Sequence, residues 1–403
     1  MALTSRSLVL QWEAKPRPSG EHFMSRSRAW YIAWALVACL GIYCSSADAC
    51  SVFLLKNGEV VVVGRNYDWH MEDALVMVNK RDIQKTALSF DNPAKWTSKY
   101  GSVTINQYGR ELPCDGMNEK GLVISLLWLV ETRYPKPDER PSLTNAQWAQ
   151  YQLDTAATVD EVIASDKQIR ITNLGGAQVH YFVADAQGNA AVIEFIGGKM
   201  YAVTGKDLPY AAITNRTYAD SLNYLKQHEG FGGKRQIVRS PSSFNRFVGS
   251  ARAGRDFAAV VNPTLDSAIQ TALRTCVDVD QGDRTKWTLA YDLANRTIHF
   301  RTYSNRALRK LTFPSLDFSG ATPTQLADIN AVREGDLQPA LEDYTWQANC
   351  EQMRRAVNLT QFARALPDFI IEMAAKYPEK NCVPVEGAEV IEAESLEVVP
   401  AAQ

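Results

Sequence analysis

Directly after Cys50 the sequence runs Ser51-Val-Phe-Leu-Leu-Lys56, passes through Asn57-Gly58, and continues Glu59-Val-Val-Val-Val63. Two apolar, β-branched runs on either side of Asn-Gly predict an antiparallel hairpin closed by a two-residue type I′ turn. In that hairpin Lys56 faces Glu59. Counting outward along both strands then sets Cys50 opposite Arg65, with their Cβ atoms about 4.5–5.5 Å apart. The expectation is a guanidinium beside the Cys50 thiol.

Further strand-like stretches fall at residues 121–130, 180–184, 190–195, 287–291 and 297–303, the last two joined by a short connection at 292–296. Helical periodicity lies between them. Residues 145–165 carry Trp148, Tyr151, Ala156, Val159 and Ile163 mostly three or four apart, interrupted by Gln152 and Thr155, and residues 218–228 and 265–273 read similarly. Hairpins separated by helical insertions suit an α+β fold with two antiparallel sheets stacked face to face under helices.

The segment before Cys50 reads as a leader. Arg26 and Arg28 precede an apolar run at 29–43, followed by Ser45, Ser46, Ala47, Asp48 and Ala49. That is the layout of a secretory signal peptide over residues 1–49, with Met24 as a second candidate start and an A-x-A cleavage site directly before Cys50. The run is shorter than the roughly 20 residues of a spanning helix. The expectation is therefore a bacterial periplasmic or secreted protein with no stable membrane association after processing. Its domain would span residues 50–382, with a disordered tail at 383–403, where five glutamates occur without a core-forming period.

Of seven cysteines, Cys39 and Cys44 leave with the leader, so Cys50, Cys114, Cys276, Cys350 and Cys382 remain. An odd number in an oxidising compartment leaves at least one thiol unpaired in a monomer. Cys350 and Cys382 bracket a helix-like stretch and are the expected disulfide.

Cleavage before Cys50 would bring a thiol and an α-amine, with a reference pKa of about 8, together in one residue. Nucleophile and base then coincide, and no histidine is needed. Arg65 would favour thiolate, and Asp68 could accept hydrogen bonds from the protonated amine. Other chemistries fare poorly. The five histidines form no H-E-x-x-H or paired ligand spacing and C-x-x-C is absent, so neither metal nor cofactor is expected. Gly230-Phe-Gly-Gly-Lys234 is followed by Arg235 where a phosphate loop needs Ser or Thr, and no G-x-S-x-G elbow occurs. A formal net charge of −2 gives no electrostatic reason to expect nucleic acid as partner.

Several blocks carry a family resemblance. Cys50-Ser-Val-Phe, then Gly64-Arg65-Asn66-Tyr67-Asp68-Trp69, is followed by Asp115-Gly-Met-Asn-Glu-Lys-Gly-Leu122. Next come 180–195 with Ile193-Glu194, Ala212-Ile-Thr-Asn215, Ser243-Phe-Asn-Arg246-Phe247 and the hairpin 291–303. In this order they resemble the choloylglycine hydrolase family, which includes bile salt hydrolases and penicillin V acylases.

The resemblance implies a four-layer αββα sandwich of the N-terminal-nucleophile type and hydrolysis of small-molecule linear amides through a thioester on Cys50. It implies that Asn215 donates to the oxyanion with a backbone N–H near Trp128, and that Arg246 orients the nucleophile end or a polar substrate group. Trp128 replaces the small polar residue of many bile salt hydrolases, and Trp69 follows Asp68. Both indoles resemble those of the Gram-negative penicillin V acylase-like branch, where they would line a pocket for a flat aromatic or fatty acyl group. Bile salt and acyl-homoserine lactone hydrolysis are the alternatives within that class, and a lipid-anchored, non-catalytic binding protein is the alternative outside it. A homotetramer is also implied, although the stretch between Asn215 and Arg246 is shorter than the assembly loop of the bile salt hydrolases.

Overall fold

The computed structural model describes residues 50–172, 177–360 and 363–385; the expected leader at 1–49 and most of the expected tail at 383–403 lie outside the described residues. The chain opens with β1 (Ser51–Asn57) and β2 (Val60–Asp68), then enters a second sheet through β3 (Leu75–Asn79), β4 (Ser102–Asn106), β5 (Pro113–Asn118) and β6 (Val123–Trp128). After α1 (Asn145–Thr155) that sheet gains β7 (Val179–Ala184), β8 (Ala190–Ile196) and β9 (Lys199–Thr204). The chain returns to the first sheet with β10 (Ala212–Ile213), followed by α2 (Tyr218–Leu225), α3 (Ser243–Ala258) and α4 (Leu265–Asp278). Strands β11 (Thr285–Asp292), β12 (Thr297–Thr302), β13 (Arg309–Thr312), β14 (Gln325–Asp328), β15 (Gly335–Asp336) and β16 (Glu342–Asp343) precede α5 (Trp346–Leu359).

The first sheet has the order β10-β1-β2-β11-β12-β13-β15 and the second β9-β8-β7-β6-β5-β4-β3-β14-β16. Alternation along the strands builds three apolar layers. Val52, Val63 and Leu289 of the first sheet join Met117, Val123, Phe182 and Val192 of the second in one buried cluster between the sheets. The alternate residues of the second sheet, Ile124, Tyr181, Val183 and Ile193, pack with Trp148 and Leu153 of α1 in another. On the far face of the first sheet, Asn66 Nδ2 donates to the Cys276 carbonyl of α4 at 2.6 Å. Helices therefore cover both sheets, as the expected αββα arrangement requires.

The opening hairpin forms, but two residues out of the expected register. Asn57 pairs with Val60, so Gly58-Glu59 is the loop and Val52, not Cys50, lies opposite Arg65. Gly58 alone takes a positive φ (57°) in this loop, the pattern of a type II′ turn with Gly first. Asn57 stays in the strand because its Nδ2 is committed to the end of α3, donating to Phe257 O at 3.0 Å and Val260 O at 2.8 Å. A two-residue shift preserves strand parity. Arg65 thus keeps the same face as Cys50, diagonal to it.

Helical periodicity over 145–165 resolves into α1 and a second short helix, Val159–Ala164. Ala156 is extended between them, its carbonyl accepting from Asn118 Nδ2 at 2.7 Å, and Thr158 caps the second helix. Helix α3 escaped the periodicity reading because Gly249 and Gly254 dilute it. A Cβ on either would meet Val279 Cγ1 at 2.9 Å or the Leu54 carbonyl at 3.1 Å, so these glycines set how closely α3 approaches α4 and β1.

Two further expectations are corrected. Cys350 and Cys382 are both free: Cys350 is buried with Met353 and Ile371, whereas Cys382 pairs across strands with Lys85. Residues 383–385, expected in the tail, are ordered: Cys382–Pro384 forms a strand on Ile83–Thr86 and Val385 N donates to Asp82 O at 2.8 Å. No helix among the described residues is long and apolar enough to cross a membrane.

Candidate active site

Cys50 is the residue before β1 and is 6% exposed. Its Sγ lies 3.9 Å from the Asp68 carbonyl oxygen, at the end of β2. Burial pushes the thiol above its ordinary pKa, and the Arg65 guanidinium pulls in the opposite direction. Arg65 favours thiolate, as the sequence suggests, but desolvation outweighs it in this state of the chain.

Arg65 crosses the space between the sheets. Its Nε donates to Asp115 Oδ1 on β5 at 2.7 Å, Nη2 to Leu126 O on β6 at 2.9 Å and Nη1 to Asn66 O at 3.0 Å. Both side chains of the pair are fully buried. Burial opposes the Arg65 charge, but the adjacent Asp115 carboxylate more than offsets it and holds the guanidinium firmly protonated.

Asp68 faces the other way, toward the helix layer. Thr285 Oγ1 donates to its Oδ1 at 2.5 Å and Gln281 Nε2 to its Oδ2 at 2.8 Å, while Arg246 Nη1 stands 3.7 Å from Oδ2. Burial raises the Asp68 pKa against these partners. Arg246, on the first turn of α3, reaches back to the start of β1: Nη1 donates to Cys50 O and to Ser51 Oγ, both at 2.6 Å. Its Nη2 donates to Asn215 Oδ1 at 3.3 Å. The far side of Arg246 also contributes to a cleft of about 480 Å³ between α3 and α4.

Asn215 follows the edge strand β10. Its Nδ2 donates to Trp128 O at 2.8 Å and its backbone N to Ser243 Oγ at 2.9 Å. The preceding Thr214 carbonyl lies 2.7 Å from Nε2 of buried His180, whose Nδ1 is 3.4 Å from Glu194 Oε1. Trp69 and Trp128 meet at 6.4 Å between ring centroids, tilted by 32°. All seven residues singled out in the sequence thus belong to one connected neighbourhood around the start of β1.

Sequence reasoning passed over Asp115, Ser51, Gln281 and Thr285. Asp115 was within reach, since a strand-borne arginine facing an inter-sheet core requires a carboxylate. The rest of its motif has a structural job. Asn118 Oδ1 accepts from the Lys120 and Leu122 backbone N–H groups at 3.1 and 3.0 Å, and Gly121 takes φ +82° to close the β5–β6 turn. Gln281 and Thr285 carry no sequence signal of their own; the return of β11 beside β2 places them there. Among the described residues, no group of three or more His, Cys, Asp or Glu could hold a metal ion.

Residues 50–236 match the model of the linear amide C-N hydrolases, choloylglycine hydrolase family. A penicillin V acylase of Pectobacterium atrosepticum is 31% identical over 220 residues, covering 50% of this chain and 58% of that protein. The chain thus spans under two thirds of the length of this curated relative. The solved penicillin V acylase from Agrobacterium tumefaciens superposes with a TM-score of 0.64 at 27% identity, over 74% of this chain and 98% of that one. A variant of the conjugated bile acid hydrolase from Clostridium perfringens shares the fold at TM-score 0.57 and 17% identity, over 71% and 98%. With its matched blocks in order and its strands in the same architecture, residues 50–236 of the chain are similar to the choloylglycine hydrolase family of linear amide C-N hydrolases.

Proposed function

We propose that this protein hydrolyses linear, non-peptide amides through Cys50 once residues 1–49 have been removed, with penicillin V acylase-like preference. The observation that carries the reading is the convergence of Arg65, Asp68, Asn215 and Arg246 on the start of a buried strand headed by a cysteine. Export to the periplasm and removal of the leader supply the free α-amine.

The thiol attacks the amide carbonyl, forming the C–S bond, while the α-amine takes the thiol proton and delivers it to the leaving nitrogen. Asp68 and Arg246 hold the Cys50 end of the chain. Asn215 spends one amide hydrogen on Trp128 O, and its second is available to the oxyanion. Water then cleaves the thioester and regenerates the thiol. Arg65 offsets part of the burial penalty on thiolate.

Trp69 and Trp128 form the wall that selects a flat aromatic or fatty acyl group. Side-by-side assay of phenoxyacetyl, glycine-conjugated steroid and long-chain acyl-lactone substrates tests this order of preference; steroid as the best substrate would overturn it. Cys50→Ser should lose most turnover, since an alkoxide is far less accessible than a thiolate at neutral pH. Assembly as a homotetramer is proposed on the resemblance alone, and light scattering of the purified protein decides it.

A further inference from the structure

Thr360 immediately follows α5, far along the chain from residues 50–236 and fully buried. Its Oγ1 donates to Ala356 O at 2.7 Å. A hydroxyl has one hydrogen and two acceptor positions. The two other groups on this oxygen, Tyr108 OH at 3.0 Å and His70 Nε2 at 3.1 Å, must therefore be donors. With its hydrogen committed to Thr360, Tyr108 OH accepts from Trp69 Nε1 at 2.9 Å. The direction of the whole chain is fixed: Trp69 N–H to Tyr108 O–H to Thr360 O–H to the Ala356 carbonyl.

Helix α5 also grips the loops on either side of Trp69. Gln352 Nε2 donates to Asp73 O at 3.0 Å and to Gln107 O at 3.2 Å. Arg110 N donates to Asn349 Oδ1 at 2.9 Å, and a Cβ on Gly109 would lie 2.8 Å from Met353 Sδ. The loop carrying Tyr108 is thus clamped from one side by a single helix. The polar edge of the Trp69 indole is turned toward that helix, leaving its rings against Trp128 at 6.4 Å and His70 at 4.8 Å.

We infer that Thr360 is a positioning residue for specificity: acting through Tyr108, the α5 end sets the orientation of the Trp69 indole and hence the shape of the acyl-binding wall. The inference rests on the amidase reading above for what that wall recognises. Its test uses the full mature protein with Thr360→Val, which keeps the shape and removes the hydroxyl, and Thr360→Ser, which keeps the hydroxyl. The indole N–H resonance of Trp69, assigned with Trp69→Phe, is recorded alongside KM and kcat for a phenoxyacetyl and an acetyl amide.

Loss of one hydrogen-bonding link predicts that Thr360→Val raises KM for the phenoxyacetyl amide about 5–10-fold relative to the acetyl amide. The Trp69 resonance moves upfield in that variant, and Thr360→Ser restores both readouts. Should Thr360→Val fail to fold, Tyr108→Phe interrupts the same chain at its middle and predicts the same pair of changes. An unmoved indole resonance overturns the relay, and a moved resonance with an unchanged KM ratio overturns its role in specificity. If the wild-type protein cleaves neither amide, the amidase reading fails instead, and the indole resonance still reports on the relay.

Discussion

Removing the Asp115 carboxylate should damage stability more than any exposed ion pair in the protein. Asp115 and Arg65 are both fully buried between the sheets, and three of the five guanidinium N–H directions of Arg65 are accounted for by Asp115, Leu126 O and Asn66 O. Asp115→Ala leaves the guanidinium in place with no carboxylate beside it, which costs about 3–5 kcal/mol for a dry pair. With an m value near 3 kcal/mol/M, the urea midpoint falls by about 1–1.7 M. The double variant Arg65→Met/Asp115→Leu removes both charges and should lose much less.

The same pair of sites predicts opposite shifts of the Cys50 thiol. Asp115 raises the thiol pKa and Arg65 lowers it. Alkylation of the Cys50 peptide, followed by mass spectrometry across pH, should therefore turn on at lower pH in Asp115→Asn and at higher pH in Arg65→Met. A urea midpoint shift below about 0.3 M in Asp115→Ala, or thiol shifts of the same sign in the two variants, would refute this account of the inter-sheet charge.

Asn215→Ala should lower kcat by about 10²–10³-fold if its amide is the proposed oxyanion donor; a change confined to KM would contradict that role. Gln281→Leu and Thr285→Val each remove a donor that opposes the burial-driven rise of Asp68. The Asp68 pKa then climbs further, its carboxylate protonates at higher pH, and the acid limb of kcat/KM should move up the pH scale. Gly64→Ala would place a Cβ 2.3 Å from Phe53 Cζ, so a loss of about 1–3 kcal/mol is expected in a urea titration, with partial recovery on adding Phe53→Leu.

The fold was legible where local chemistry and tertiary context agree. Alternation and turn residues locate the β7–β8 and β11–β12 hairpins to within two residues, because each of those strands is paired on both edges and little competes with the pattern. The opening hairpin shows how context wins: Asn57 is a good turn residue, yet its amide is worth more bonded to the carbonyls ending α3 than in the turn. Helix α3 was invisible to periodicity because its glycines serve close packing rather than propensity.

For the site, the expected leader and the motifs resembling those of the family point to Cys50, Arg65, Asp68, Asn215 and Arg246, each carried by a run of matching neighbours. Gln281, Thr285 and Thr360 come from segments with no such motif. They reach the site through the return of β11 and the end of α5, contacts set by topology rather than by local sequence. The expected Cys350–Cys382 bridge failed for the same reason, since bracketing a helix in sequence says nothing about where each thiol points.

We propose that the working protein starts at Cys50 with both its thiol and its amine unblocked. Brief exposure of the exported protein to a phenoxyacetyl amide, acid quench and mass analysis of the N-terminal peptide tests it most directly. The expected product is a peptide beginning at Cys50, a fraction of it carrying one hydroxylamine-sensitive phenoxyacetyl group on sulfur. A peptide still joined to Ala49, or one whose Cys50 carries lipid, would contradict it.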